Sequence, residues 1–229
     1  MDTNRDNISF TDVSVLLEIL FVTVASIGMI VFLRNKLNND EAWLALTSPF
    51  ILISAAIIPT LIHRKDLSQI GFQTGHFQML LRILPIACML VFSVLFLGIL
   101  ILSNYNIPLP MRAIIPKNRW LEWIVYQFMC VAVPEELFFR GYLQTNVITL
   151  LTTVKRKKFE VLGWIGIIIC AIVFAASHVV IFKNGISIVT FFPGLFFGWL
   201  FYKTKSLLAP VLFHGLANIS YGIIAEVLT

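Results

Sequence analysis

Seven apolar runs dominate the chain, near Val13–Leu33, Ala42–Ile62, Met79–Ser103, Trp120–Leu151, Val161–Phe182, Ile186–Tyr202 and Leu207–Leu228. Each approaches or exceeds the roughly 20 residues that a helix needs to cross a bilayer. Hydrocarbon offers no water to satisfy peptide N–H and C=O groups, so such runs must bond internally, as helices do. The runs therefore predict an all-α, polytopic transmembrane bundle of about seven spans. Composition agrees: 59% of residues are hydrophobic, 13% are charged and mean hydropathy is +0.90, whereas soluble domains carry about 25% charged residues.

The breaks between runs carry the charge. Arg34-Asn35-Lys36, His63-Arg64-Lys65, Lys155-Arg156-Lys157-Lys158 and Lys203-Thr204-Lys205 close successive runs. The net charge of +5 reads as basic loops that face anionic lipid and set topology, not as a nucleic-acid surface. The balance of Lys and Arg between alternate loops puts the N-terminus in the cytoplasm and the C-terminus outside. The N-terminus, Met1 to Asp12, is polar and the run after it is too long for a cleaved leader, so that run is expected to be an uncleaved insertion signal. The longest polar loop, Asn104–Arg119, has about 16 residues, which predicts no soluble domain. Cys88, Cys130 and Cys170 all lie within apolar runs and read as small core residues. Pro49 and Pro59 predict kinks in the second run, and Pro134 a tilt or break in the over-long fourth.

Charges inside a span are costly and face a protein interior or a water-filled cavity. The fourth run holds three, in Val133-Pro134-Glu135-Glu136-Leu137-Phe138-Phe139-Arg140-Gly141. On a helix Glu136 and Arg140 share a face and can pair, which leaves Glu135, about 100° away, as the unpaired acid. A structural ion pair is the simple reading for Glu136 and Arg140. Function is the expectation for Glu135, because intramembrane ionisable residues are functional by default.

Two further polar signals follow. Phe174-Ala175-Ala176-Ser177-His178 lies late in the fifth run, and His214-Gly215-Leu216-Ala217-Asn218 lies within the seventh. Phe174 pairs with His178, and His214 with Asn218, at i and i+4. Singly, each histidine reads as an interhelical hydrogen bond worth under about 2 kcal/mol. Together, every strongly polar feature deep in the last four runs belongs to one set, and the first three runs hold nothing comparable. Glu18 lies near the start of the first run, within reach of the interface. His63 and His76 lie in or beside a polar loop and receive no role.

A carboxylate and an imidazole can hold and deprotonate a water. A second imidazole and an amide can donate to a developing oxyanion. That combination describes amide hydrolysis without a covalent intermediate. No serine or cysteine nucleophile arrangement is evident, and Ser177 points off the face of His178. There is no His-Glu-x-x-His motif, although two Glu and two His also offer N and O ligands for zinc.

The three motifs resemble those of the CAAX prenyl endopeptidase and bacteriocin-processing (CPBP, or Abi) intramembrane proteases. Glu-Glu-x-x-x-Arg is matched by Glu135, Glu136 and Arg140. Phe-x-x-x-His is matched by Phe174 and His178, and His-x-x-x-Asn by His214 and Asn218. The resemblance covers about Trp120 to Tyr221. It implies a division into N-terminal helices over 1–119 and a catalytic core over 120–229. It implies an intramembrane endopeptidase in which Glu135, assisted by His178, activates water, and His214 and Asn218 stabilise the oxyanion. Glu136, Arg140 and Phe174 are then supporting residues. No cofactor is required by that reading; the alternative is a zinc held by Glu135, His178 and His214. The implied partners are the lipid bilayer and a membrane-associated protein or peptide substrate, in a prokaryotic plasma membrane, with no oligomeric state specified. The rival readings are a non-catalytic immunity or scaffold protein and a small proton-coupled transporter.

Overall fold

The computed structural model describes residues 10–37, 41–73, 77–106, 119–155 and 159–228. Among them all regular structure is helical, as the apolar runs predict. The helices are α1 (Phe10–Lys36), α2 (Glu41–Ile62), α3 (Phe77–Asn104), one long helix α4 over 120–155, α5 (Phe159–Phe182), α6 (Phe191–Thr204) and α7 (Leu208–Leu228). Short 3-10 segments, Leu67–Ile70 and Gly185–Thr190, precede α3 and α6. Four described stretches are long and apolar enough to cross a membrane alone: Asp12–Lys36, Ala45–Ile62, Glu160–Phe182 and Gly185–Thr204. Phe92–Asn104 and Leu208–Ile224 are shorter apolar helices.

The prolines of the second and fourth runs lie inside continuous helical segments. α2 runs unbroken through Pro49 and Pro59. α4 does not break at Pro134; it widens. Two π-helical segments, Gln127–Ala132 and Leu137–Gln144, flank a single α-helical turn, Val133–Glu136. A proline ring crowds the carbonyl four residues back and supplies no N–H. Widening the preceding turn relieves both: the N–H of Val133 bonds to the Phe128 carbonyl, five residues earlier. Such π-bulges accompany functional sites. Here the widened stretch is also the centre of the bundle, because all eight residues of Leu137–Gln144 are buried.

Contacts at the helix ends show that successive helices alternate in direction. Lys183 Nζ donates to Asn35 Oδ1 at 2.8 Å, joining the C-terminal ends of α1 and α5. At the other face the segment after α2 is bound to the α6–α7 turn. Leu207 N–H donates to Gly71 O (3.1 Å), Gln73 Nε2 to Lys205 O (2.7 Å), and Ser206 Oγ to Gln73 O (2.5 Å). Lys65 Nζ donates to Asn146 Oδ1 on α4 at 2.8 Å. Gly71 makes this turn possible, since its φ of 98° is in the left-handed region that glycine adopts without penalty. The periphery is apolar outward: Phe21, Phe50, Ile86, Met89 and Phe192 are each 70% to 74% exposed. A belt of that kind is stable against lipid and not against water.

Candidate active site

The widened part of α4 puts the two neighbouring carboxylates on different errands. Glu136 is fully buried, at 0% exposure. Its Oε1 accepts from Arg140 Nη1 at 3.0 Å and from the Nδ1–H of His214 at 2.7 Å. Arg140 also donates from Nη2 to the Gly194 carbonyl of α6 at 3.3 Å. Its guanidinium lies 4.4 Å from the centre of the Phe174 ring and 5.3 Å from that of Phe197. The i, i+4 ion pair expected from sequence is therefore present, with its cation resting on aromatic faces, a favourable arrangement once desolvated.

Glu135 faces the other way, and its side chain keeps 20% exposure. Its Oε2 lies 3.9 Å from the Nε2 of His178 and 3.9 Å from the Nε2 of His214. Among the described residues that oxygen has no hydrogen-bond partner. A separation of 3.9 Å is beyond direct hydrogen-bond reach and suits two groups that share a bridging water.

Both imidazoles are held from behind. His178 Nδ1 sits 2.9 Å from the Phe174 carbonyl one turn earlier. His214 Nδ1 sits on the Glu136 carboxylate. Both partners can only accept, so Nδ1 carries the proton in each ring and Nε2 is turned to Glu135. The Phe174 ring stands between them, 4.3 Å from His178 and 6.3 Å from His214, while Phe197 stacks on His214 at 4.8 Å and 23°. α7 reaches this depth because Gly215 has no side chain: a Cβ there would run into the Phe128 ring of α4.

Asn218 does not contact the Glu135 group directly. Its Nδ2 donates to Gln127 Oε1 on α4 at 3.1 Å. Gln127 was not singled out in the sequence; its signal was that of a lone amide in the apolar run before Pro134. The Ser177 hydroxyl is spent on the Phe174 carbonyl (2.7 Å), off the His178 face as expected. Glu18 and His63 pair with each other at 2.5 Å, and Tyr142 Oη donates to Glu18 at 3.3 Å. This is a second polar cluster that the sequence reading did not assemble. His76 lies outside the described residues. Among the described residues no three His, Cys, Asp or Glu side chains gather tightly enough to hold a metal ion. Two ligands of tetrahedral zinc stand about 3.3 Å apart, closer than the 3.9 Å between Glu135 and either imidazole.

Fold and site together define an integral membrane protein with acid and imidazole groups gathered inside a helical bundle. Residues 117–220 match the family model described as type II CAAX prenyl endopeptidase Rce1-like. That segment contains every residue of the site and is similar to this family of CAAX-type endopeptidases, in agreement with the resemblance to CPBP proteases. No curated protein matches the chain, and no solved structure matches it.

Proposed function

We propose that the chain hydrolyses a peptide bond of a membrane-associated protein or peptide by means of a water activated at Glu135. The observation that carries this reading is the meeting of two imidazole Nε2 atoms on one unpartnered carboxylate oxygen, each at 3.9 Å. A water between Glu135 and His178 has an acceptor for its proton and a second group to fix its direction. As its oxygen bonds to the scissile carbonyl carbon, Glu135 takes its proton. The carbonyl oxygen becomes an oxyanion. His214 donates to it from Nε2 in its charged form, stabilised from behind by Glu136, as a buried carboxylate orients and stabilises the imidazole of a serine-protease triad. Asn218 lies one turn further along α7, and its second Nδ2 hydrogen is the further donor. The C–N bond then breaks and the leaving amine takes the proton from Glu135. Atoms and charges balance without a covalent intermediate.

A water-centred site is favoured over zinc because Glu135 stands 3.9 Å from either imidazole, wider than neighbouring ligands of one tetrahedral ion. Residues 120–229 form the catalytic core in this reading, and the helices before them are its scaffold. The basic loops favour a cytoplasmic N-terminus, with the site opening toward the outer side of a prokaryotic plasma membrane. That opening favours a membrane-anchored peptide there over a cytosolic prenyl-protein tail. The test is cleavage of a panel of membrane-anchored peptides, prenylated ones included, by the detergent-purified protein beside Glu135→Gln and His214→Ala. The reading expects cleavage by the wild type alone. Equal cleavage by either variant removes that residue from the chemistry.

A further inference from the structure

Gln144 lies outside all three sequence motifs, yet it is among the most completely buried polar side chains, at 1% exposure. It follows Arg140 by four residues on α4, so the two side chains leave one face of the helix. Each reaches a backbone carbonyl of α6. Arg140 Nη2 donates to Gly194 O at 3.3 Å and Gln144 Nε2 to Gly198 O at 2.9 Å. Those carbonyls are themselves four residues apart, so the contacts form two rungs between parallel rows. A carbonyl has two lone pairs and accepts such a bond without losing its helical one. Glycine at position 198 is required for the second rung: a Cβ there would stand 2.7 Å from Gln144 Oε1 and 3.0 Å from Ile167 Cγ2.

The arrangement carries a cost. Among the described residues Gln144 Oε1 is buried without a hydrogen-bond partner, and such groups call for an explanation. An apolar side chain would pack here without it. What the amide supplies and an apolar group does not is a fixed register between α4 and α6. Between the two rungs, on the same helix, stands Phe197, the ring that stacks on His214 at 4.8 Å. α4 carries Glu136, which holds the Nδ1 of that imidazole at 2.7 Å. A slide of α6 along α4 would move the stacking ring while the hydrogen-bond partner stayed in place.

We propose that Gln144 is a positioning residue of the site: it locks the register of α6 so that Phe197 holds the His214 imidazole on Glu136. The catalytic half of the proposal rests on the protease reading above; the positioning half does not. The test therefore reads both. In protein labelled with 15N-histidine, the His214 Nδ1–H, assigned by its loss in His214→Ala, gives a downfield proton resonance typical of a carboxylate partner. Gln144→Met keeps length and packing but has no donor, and is expected to shift or broaden that resonance while elution profile and thermal midpoint stay near wild type. In the cleavage assay the same variant is expected to lower kcat by about tenfold to a hundredfold with KM unchanged, as small misplacements of reacting groups do. Gly198→Ala is expected to act likewise. The pair Gln144→Ala/Gly198→Ala, in which the clash is relieved, is expected to be no worse than Gly198→Ala alone. Gln144→Asn, too short to reach Gly198, replaces the methionine variant if that one does not fold. A wild-type His214 resonance in Gln144→Met or Gln144→Asn overturns the proposal whatever the activity. So does a raised KM with kcat unchanged. If the wild type cleaves no peptide while the resonance moves as expected, the positioning stands and the protease reading falls.

Discussion

Removing Arg140 should be among the most damaging single changes in this protein, and the structure says by how much. Arg140→Ala leaves Glu136 at 0% exposure without its cation. Breaking a buried ion pair from one side costs about 3–5 kcal/mol, because a charge is left uncompensated. Glu136 Oε1 keeps the hydrogen bond from His214 Nδ1, which argues for the lower end. The guanidinium also rests 4.4 Å from the Phe174 ring, and losing that contact adds about 1 kcal/mol. The expected loss is about 4 kcal/mol. Unfolding by SDS titration, followed through the tryptophan fluorescence, measures it. The control is Glu136→Gln/Arg140→Met, which removes both charges and keeps their lengths. Replacing a buried pair by neutral groups is often nearly neutral, so the double variant should recover at least half of the loss. A single variant within about 0.5 kcal/mol of wild type, a loss no larger than that of an exposed pair, would refute the reasoning. A double variant as unstable as the single would refute it too.

Three smaller changes separate the site from its surroundings. Gly215→Ala forces α7 away from the Phe128 ring, and the displaced His214 should cost about a hundredfold in kcat; Gly28→Ala, with nothing within 4 Å, is the matched control and should leave kcat unchanged. Phe174→Leu removes the aromatic face under Arg140 but keeps the backbone carbonyl that holds His178, so the SDS titration should show a loss of about 1–2 kcal/mol, and kcat should fall less than in His178→Ala. Glu18→Gln breaks a half-exposed pair with His63, so it should change stability by under about 1 kcal/mol and leave kcat at the wild-type value.

The helices and the polar set were legible because each is a local signal. Apolar runs of span length have few structures open to them, and charges such as Glu135, Glu136 and Arg140 cannot sit in lipid without a reason. The pairing of Glu136 with Arg140 followed from helical spacing alone. What escaped the sequence was set by contacts between distant segments. Nothing in spacing says that His214 Nδ1 turns to Glu136 and its Nε2 to Glu135, that Asn218 meets Gln127, or that Gln144 reaches Gly198. The widened turns around Pro134 escaped for a different reason. A proline announces that a helix must change, but neighbours decide between a break and a bulge, and here the burial of Leu137–Gln144 on all sides holds the axis intact. Glu18 on α1 and His63 just past the end of α2 are distant in sequence and are brought together only by the antiparallel packing of α1 and α2.

Glu135 as the base for a water is the centre of the proposed chemistry. The most direct measurement is the single-turnover cleavage rate of one susceptible membrane-anchored peptide by wild type and Glu135→Gln, each before and after exhaustive chelation. Because Glu135 Oε2 makes no hydrogen bond among the described residues, the variant should fold and melt as the wild type does. Wild-type cleavage is expected to survive chelation, and cleavage is expected to be lost from Glu135→Gln in both conditions. Wild-type activity that disappears on chelation and returns with zinc would contradict this chemistry, and so would a Glu135→Gln variant that still cleaves.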